Sequence, residues 1–219
     1  MANNPLIILT GPTSVGKTAL SIQLAKTVDG EIISADSMQV YRYMDIGTAK
    51  ITPEEMQGIP HYLIDAFAPD EEFNVVKFQQ YAKKYIEDIQ SRGKIPILVG
   101  GTGFYIQAVL YDIDFTENDI NPSYRQELEQ TAKEKGAEYL HALLTQVDPK
   151  SAGAIHPNNI KRVIRALEYH KLTGEKISDH NTEQRKKNSH YQYCYFVLNK
   201  NRAKLYEGIN LRVDQMMQN

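Results

Sequence analysis

Short apolar runs alternate with helical periods along the first half of the chain. Leu6-Ile7-Ile8-Leu9 is a continuous apolar run of strand length, and Leu20, Leu24, Ala25 and Val28 follow at helical spacing. Glu31 to Ala35 reads as a second strand. Thr52-Pro53-Glu54-Glu55 has the signature of a helix start, with Thr52 as cap and Pro53 in the first turn. His61 to Ile64 reads as a short strand. Val75, Phe78, Ala82, Tyr85, Ile86 and Ile89 hold a helical period up to Arg92, where Gly93 closes the helix. Strand Ile95 to Val99 then carries Pro96, which suits a strand start or an edge, and runs into Gly100-Gly101-Thr102-Gly103 and a helix bearing Phe104 to Leu110.

The pattern changes near Thr116. Asn121-Pro122 opens a charged helix ending at Gly136, and Tyr139, Leu140, Leu143 and Leu144 mark a second. A third helix runs from Asn158 or Asn159 to Gly174. Its Lys161, Arg162 and Arg165 share one face, while Ile160, Val163, Ile164 and Leu167 supply the apolar side. The polar run from Glu175 to His190, with Arg185-Lys186-Lys187, reads as a mobile return linker. A last strand, Tyr193 to Leu198, rejoins the sheet with Cys194 as a buried small hydrophobe. The final helix, from Asn201, buries Leu205, Ile209, Val213 and Met216 and leaves Arg202 and Arg212 for solvent or ligand.

These elements predict an α/β core, residues 1–115 and 191–219, with a helical insertion domain at 116–190 that includes a basic return linker. A chain of 219 residues has room for both. The net charge of −2 excludes a globally basic nucleic-acid binder but can hide a local basic patch. A single cysteine excludes an intrachain disulfide and a multi-cysteine zinc site. No segment has the length of a membrane span and the N-terminus lacks a secretory pattern, so the expectation is a cytoplasmic enzyme working as a monomer.

The candidate chemistry begins at Gly11-Pro12-Thr13-Ser14-Val15-Gly16-Lys17-Thr18, a complete G-x-x-x-x-G-K-[ST] phosphate loop between strand and helix. Backbone N–H groups and the helix N-terminus face an anion, Lys17 adds a charge, and Thr18 offers a hydroxyl to Mg²⁺. The fold class expected is therefore a P-loop NTPase-like parallel sheet flanked by helices. Asp36, just past the second strand, should share the crevice at the carboxyl ends of the strands with the loop and with Thr102. The strand after the long helix ends in glycines and a threonine rather than an acid, which argues against ordinary nucleotide hydrolysis. Asp36 can bind Mg²⁺ or accept a proton from a nucleophile attacking a phosphate-bearing substrate.

The segments GPTSVGKT, ISADSMQVYRYMDIGTAK, VGGTGFY, IHPNNIKRVIRALE and LRVDQM, in this order, closely resemble bacterial tRNA dimethylallyltransferases, also called tRNA isopentenyltransferases, over essentially the whole chain. The resemblance implies transfer of a prenyl group from dimethylallyl diphosphate to the exocyclic N6 amine of the tRNA adenosine on the 3′ side of the anticodon. It implies Asp36 as general base, and Thr13, Lys17, Thr18 and Arg212 on the diphosphate with Mg²⁺. It places Thr102 near the reacting centre, Ser37, Met38 and Gln39 on the flipped-out base and its neighbours, and Lys161, Arg162, Val163, Ile164 and Arg165 on the tRNA. The family commonly has an arginine where this chain has Gly208, and usually continues beyond the position of Asn219. Three alternatives stay open on the residues alone: an ATP-binding small-molecule kinase, a prenyltransferase acting on a free adenine nucleotide, and a truncated form that binds RNA or diphosphate without turnover.

Overall fold

The computed structural model describes residues 4–115, 122–184 and 186–218. They divide into two compact units, Met1–Ile113 with Ser189–Asn219 and, separately, Asp114–Asn188.

In the first unit five parallel strands form one sheet: β1 (Pro5–Thr10), β2 (Gly30–Ser34), β3 (His61–Tyr62), β4 (Ile95–Gly100) and β5 (Gln192–Val197), in the order β3-β2-β4-β1-β5. Parallel neighbours require crossovers, and helices α1 (Lys17–Val28), α3 (Val75–Ser91) and α4 (Gly103–Leu110) provide them, with the single-turn α2 (Pro53–Met56) between α1 and α3. Side chains of a strand alternate between faces, and the core follows that alternation. Leu6, Ile8, Ile33 and Leu98 pack with Phe78, Ala82, Ile86 and Ile106 of α3 and α4, whereas Ile32 and Ile97 pack on the other face with Ile22 and Ala25 of α1. The sheet is therefore covered on both faces at its centre, which explains the continuous apolar runs.

Some sequence expectations are met and others are corrected. Thr52 forms a capping box with Glu55, and Pro53 sits in the first turn of α2. Pro96 is the second residue of a central strand, so it marks a start and not an edge. The outer strands are β3 and β5, and every residue in β5 is exposed. Cys194 is accordingly exposed rather than buried, because among the described residues no helix covers this strand as helices cover β1 and β4. The last helix, α10 (Arg202–Gln218), has no buried residue, so the expected burial of Leu205, Ile209, Val213 and Met216 is not found. Hydrophobic spacing marks a face without deciding whether anything covers it.

At the amino end of the sheet, the buried Glu31 accepts two hydrogen bonds from the Arg92 guanidinium, at 2.6 and 2.7 Å, and one from the Tyr62 hydroxyl at 2.7 Å. The Arg92 bonds outweigh the cost of burial and hold the Glu31 carboxyl at about 2.

The second unit is helical: α5 (Pro122–Lys135), α6 (Ala137–Val147), α7 (Pro149–Ala154), α8 (Ile160–Thr173) and α9 (Ile177–Gln184). Leu128, Leu140, Leu144, Val163, Ile164 and Leu167 form its core. Buried Asp148 accepts from the Ser151 N–H and hydroxyl and from the Ser178 N–H, which locks the starts of α7 and α9 together. The stretch read as a mobile linker thus contains a docked helix, α9, whose polar sequence conceals the cap interaction that holds it. Asn121, the expected cap of α5, and Arg185 lie outside the described residues. No described helix is long and apolar enough to cross a membrane.

Candidate active site at the phosphate loop

The loop Gly11–Gly16 leaves the carboxyl end of β1 and enters α1 at Lys17. Gly11, Ser14 and Gly16 have φ of 148, 62 and 102°, positive values that turn the chain sharply between β1 and α1. Glycine is required at position 11, because a Cβ there would lie 2.5 Å from the Leu198 carbonyl oxygen at the end of β5. Lys17 folds back over the loop, its Nζ donating to the Gly11 and Pro12 carbonyls at 2.9 and 2.8 Å. Burial pushes the Lys17 ammonium down, the nearby Arg212 charge pushes the same way, and Asp36 opposes them. The Lys17 ammonium thus feels both Arg212 and Asp36, although 195 residues of sequence separate it from the first.

Asp36 and Thr102 stand side by side because β2 and β4 are neighbours. The Ala35 N–H donates to the Val99 carbonyl, and the Thr102 N–H donates to the Ala35 carbonyl. A Cβ on Gly100 would collide with the Ala35 backbone, so the glycine end of β4 is what permits this approach. An acid in that place would have no room beside Ala35. Asp36 Oδ1 accepts the N–H groups of Met38, at 2.8 Å, and Gln39, at 3.2 Å, forming an Asx turn. The carboxylate therefore shapes the loop that follows it.

That loop, residues 36–50, contains no helix or strand and is tied by side chains. Gln39 Nε2 donates to the Thr48 and Ala49 carbonyls at 3.1 and 3.3 Å, which turns its amide nitrogen inward as a brace. Met38 remains 44 % exposed, and Ser37 is half-buried. Arg212 Nη2 reaches from α10 to the same Thr48 carbonyl at 2.8 Å. Its buried Nε has no partner among the described residues, nor has the buried Ser14 hydroxyl on the loop. Unpaired buried polar atoms are costly, and here they lie where an anion can pair them.

Two further ties escape sequence reading. Lys200 Nζ donates to the Ser14 carbonyl at 3.3 Å, and Gly208 brings the bare backbone of α10 against Ser14, where a Cβ would stand 3.3 Å from the Ser14 Cβ. Only the fold brings β5 and α10 to the loop, so no local pattern announces either residue.

In the helical unit, Lys161 and Arg162 of α8 are exposed and Arg165 is half-buried. Val163 and Ile164 are 0 and 3 % exposed in that unit's core, which corrects their expected place on a substrate surface. Helical spacing puts the residues between two exposed basic positions on the opposite, buried side. Among the described residues, no group of three or more His, Cys, Asp or Glu could hold a metal.

A family model described as IPP transferase matches residues 39–219. The chain belongs to the IPP transferase family. It is 70 % identical over 213 residues to a tRNA dimethylallyltransferase of Lachnoclostridium phytofermentans, covering 97 % of this chain and 68 % of that one. A tRNA dimethylallyltransferase of Bacillus cereus is 54 % identical over 211 residues, with 96 and 66 % covered. Among IPP transferase structures, the full-length tRNA isopentenylpyrophosphate transferase of Bacillus halodurans is 49 % identical, with a TM-score of 0.67, over 99 % of this chain and 67 % of that one. A eukaryotic dimethylallyltransferase described as acting on tRNA is 35 % identical, with a TM-score of 0.81, over 98 and 53 %. The chain spans about two thirds of the length of the curated relatives it matches.

Proposed function

We propose that the chain transfers the dimethylallyl group of dimethylallyl diphosphate to the N6 amine of the tRNA adenosine 3′-adjacent to the anticodon. The observation that carries this reading is the meeting of a phosphate loop, the Arg212 guanidinium and the Asp36 carboxylate at one end of the sheet. The loop amides, Lys17 and Arg212 bind the diphosphate. To do so, Lys17 exchanges its two loop carbonyls for phosphate oxygens. The C–O bond to the diphosphate breaks with its electron pair leaving on oxygen, and these cations stabilise the charge that develops. The adenine nitrogen forms the new C–N bond and gives its proton to Asp36. Oδ1 is already committed to the Met38 and Gln39 amides, which leaves Oδ2 to take that proton.

The Thr18 hydroxyl and the diphosphate oxygens make a hard-oxygen donor set of the kind Mg²⁺ accepts while keeping several waters. Bound there, Mg²⁺ supplies further neutralisation of the leaving group. Ser37 and Met38 border the adenosine, which must leave its stack to reach Asp36. Lys161, Arg162 and Arg165 give tRNA phosphate contacts, supplying affinity without sequence choice. The protein works as a cytoplasmic monomer.

The test is mass spectrometry of an anticodon stem-loop incubated with the protein, dimethylallyl diphosphate and Mg²⁺. One dimethylallyl group on the adenosine 3′ to the anticodon is the expected product. Phosphoryl transfer from ATP without prenyl transfer would refute the reading in favour of a kinase, and equal modification of free AMP would refute the tRNA assignment.

A further inference from the structure

Loop 36–50 is irregular, yet it carries Asp36 and the residues assigned to the adenosine. Something must fix its shape. Gln39 and Thr48 tie it internally, and it lies against residues 65–67: the Asp65 N–H donates to the Gln39 carbonyl, the Ala66 N–H to Val40, and the Arg42 N–H to Phe67. Lys50 closes this arrangement. Its side chain is 5 % exposed, and its Nζ donates to the Tyr41 carbonyl at 2.7 Å, to Asp45 Oδ1 at 2.6 Å and to Asp65 Oδ1 at 2.5 Å.

An ammonium has three donors and no acceptor, and here all three are used, two within the loop and one on the facing residues 65–67. The Lys50 N–H meanwhile donates to the Asp45 carbonyl, so backbone and side chain hold the same turn. Burial pulls the ammonium down, but Asp45 and Asp65 overcome it and raise Lys50, which stays charged at any working pH. None of these Lys50 bonds goes to Asp36 or to the phosphate loop.

We propose that Lys50 is a positioning residue that holds loop 36–50 in the form that receives the adenosine. It rests on the prenyltransferase reading above for the identity of the ligand, though not for the loop's shape. Removing Lys50 releases Tyr41, Asp45 and Asp65 together and leaves two carboxylates facing without their shared cation. The loop then loses its hold on the base, while Lys17 and the amides of the phosphate loop, built on β1 and α1, keep their grip on diphosphate; the Arg212–Thr48 bond is the tie that crosses between the two.

The test compares wild type with Lys50→Met and Asp65→Asn in two assays. In steady-state prenylation, Lys50→Met is expected to raise the KM for the stem-loop at least tenfold while the KM for dimethylallyl diphosphate stays within twofold. In limited trypsin digestion without substrate, cleavage after the exposed Arg42, inside the loop, is expected to accelerate at least tenfold. Asp65→Asn, which removes the charge of one exposed partner, should move both readouts about threefold in the same direction and decides the matter if Lys50→Met does not fold by circular dichroism. Unchanged Arg42 cleavage in the folded variants, or equal rises in both KM values, would overturn the proposal. A wild-type protein inactive on the stem-loop would overturn the prenyltransferase reading, and the Arg42 cleavage ratio would still judge Lys50.

Discussion

Asp36 has two separable jobs, and two substitutions part them. Asp36→Asn keeps an oxygen at the Oδ1 position, and with it the hydrogen bonds from the Met38 and Gln39 amides at 2.8 and 3.2 Å, while removing the basicity. General-base catalysis is typically worth about 10²–10⁴-fold, so kcat should fall by that factor, or about 2.7–5.5 kcal/mol of barrier. The KM for the stem-loop should stay within about threefold, since the turn survives. Asp36→Ala loses the base and the turn together. Each amide bond to a charged acceptor contributes about 1.5–3 kcal/mol. Releasing even one should raise the stem-loop KM about tenfold over that of Asp36→Asn. Steady-state kinetics with both substrates varied, and calorimetric titration of inorganic diphosphate as a control on the phosphate loop, supply the numbers. An Asp36→Asn protein retaining more than a tenth of wild-type kcat would refute the general-base assignment. Identical KM values for the two variants would refute the bracing role.

Two more substitutions test the scaffold. Glu31→Gln should lower stability by about 2 kcal/mol at neutral pH, the range for hydrogen bonds to a charged group, as read from urea unfolding. Because the folded carboxyl titrates at about 2, below its ordinary 4.5, this difference is complete above pH 4.5 and shrinks as pH falls towards 2. A pH-independent gap would contradict the Arg92 pairing. Gly208→Ala should gain up to about 1 kcal/mol of helix propensity, since the 3.3 Å approach to Ser14 needs a shift of only a few tenths of an ångström. A fall in melting temperature would mean that α10 cannot move away from the phosphate loop.

How much of this was readable in advance depends on where each property resides. The phosphate loop, the strand that delivers Asp36 and the glycine end of β4 are local patterns bounded by strong apolar periods, and the sheet order set Asp36 beside Thr102 as anticipated. Cys194 and Val163 failed in opposite directions for related reasons. A strand's apolar content does not say whether it lies at the centre or the edge, and a basic helix face does not lend its role to the residues between its charges. Gln39 also braces its loop, a role the sequence did not suggest, because its acceptors at Thr48 and Ala49 come from a stretch without periodicity. Lys50 and Lys200 act through oxygens on distant stretches of chain, which no spacing rule connects.

The two edges of the sheet differ in kind. β3 has two residues and blunts its side, while β5 presents six exposed residues, with Tyr193, Tyr195 and Phe196 among them and its outer backbone edge facing away from β1. Among the described residues, β5 is thus the longer and more exposed of the two outer strands. Any strand added there would lie next to the segment whose Leu198 carbonyl presses on Gly11 and whose Lys200 holds Ser14. The outer strand and the phosphate loop therefore share a wall: the margin of the sheet is one side of the loop that holds the leaving group.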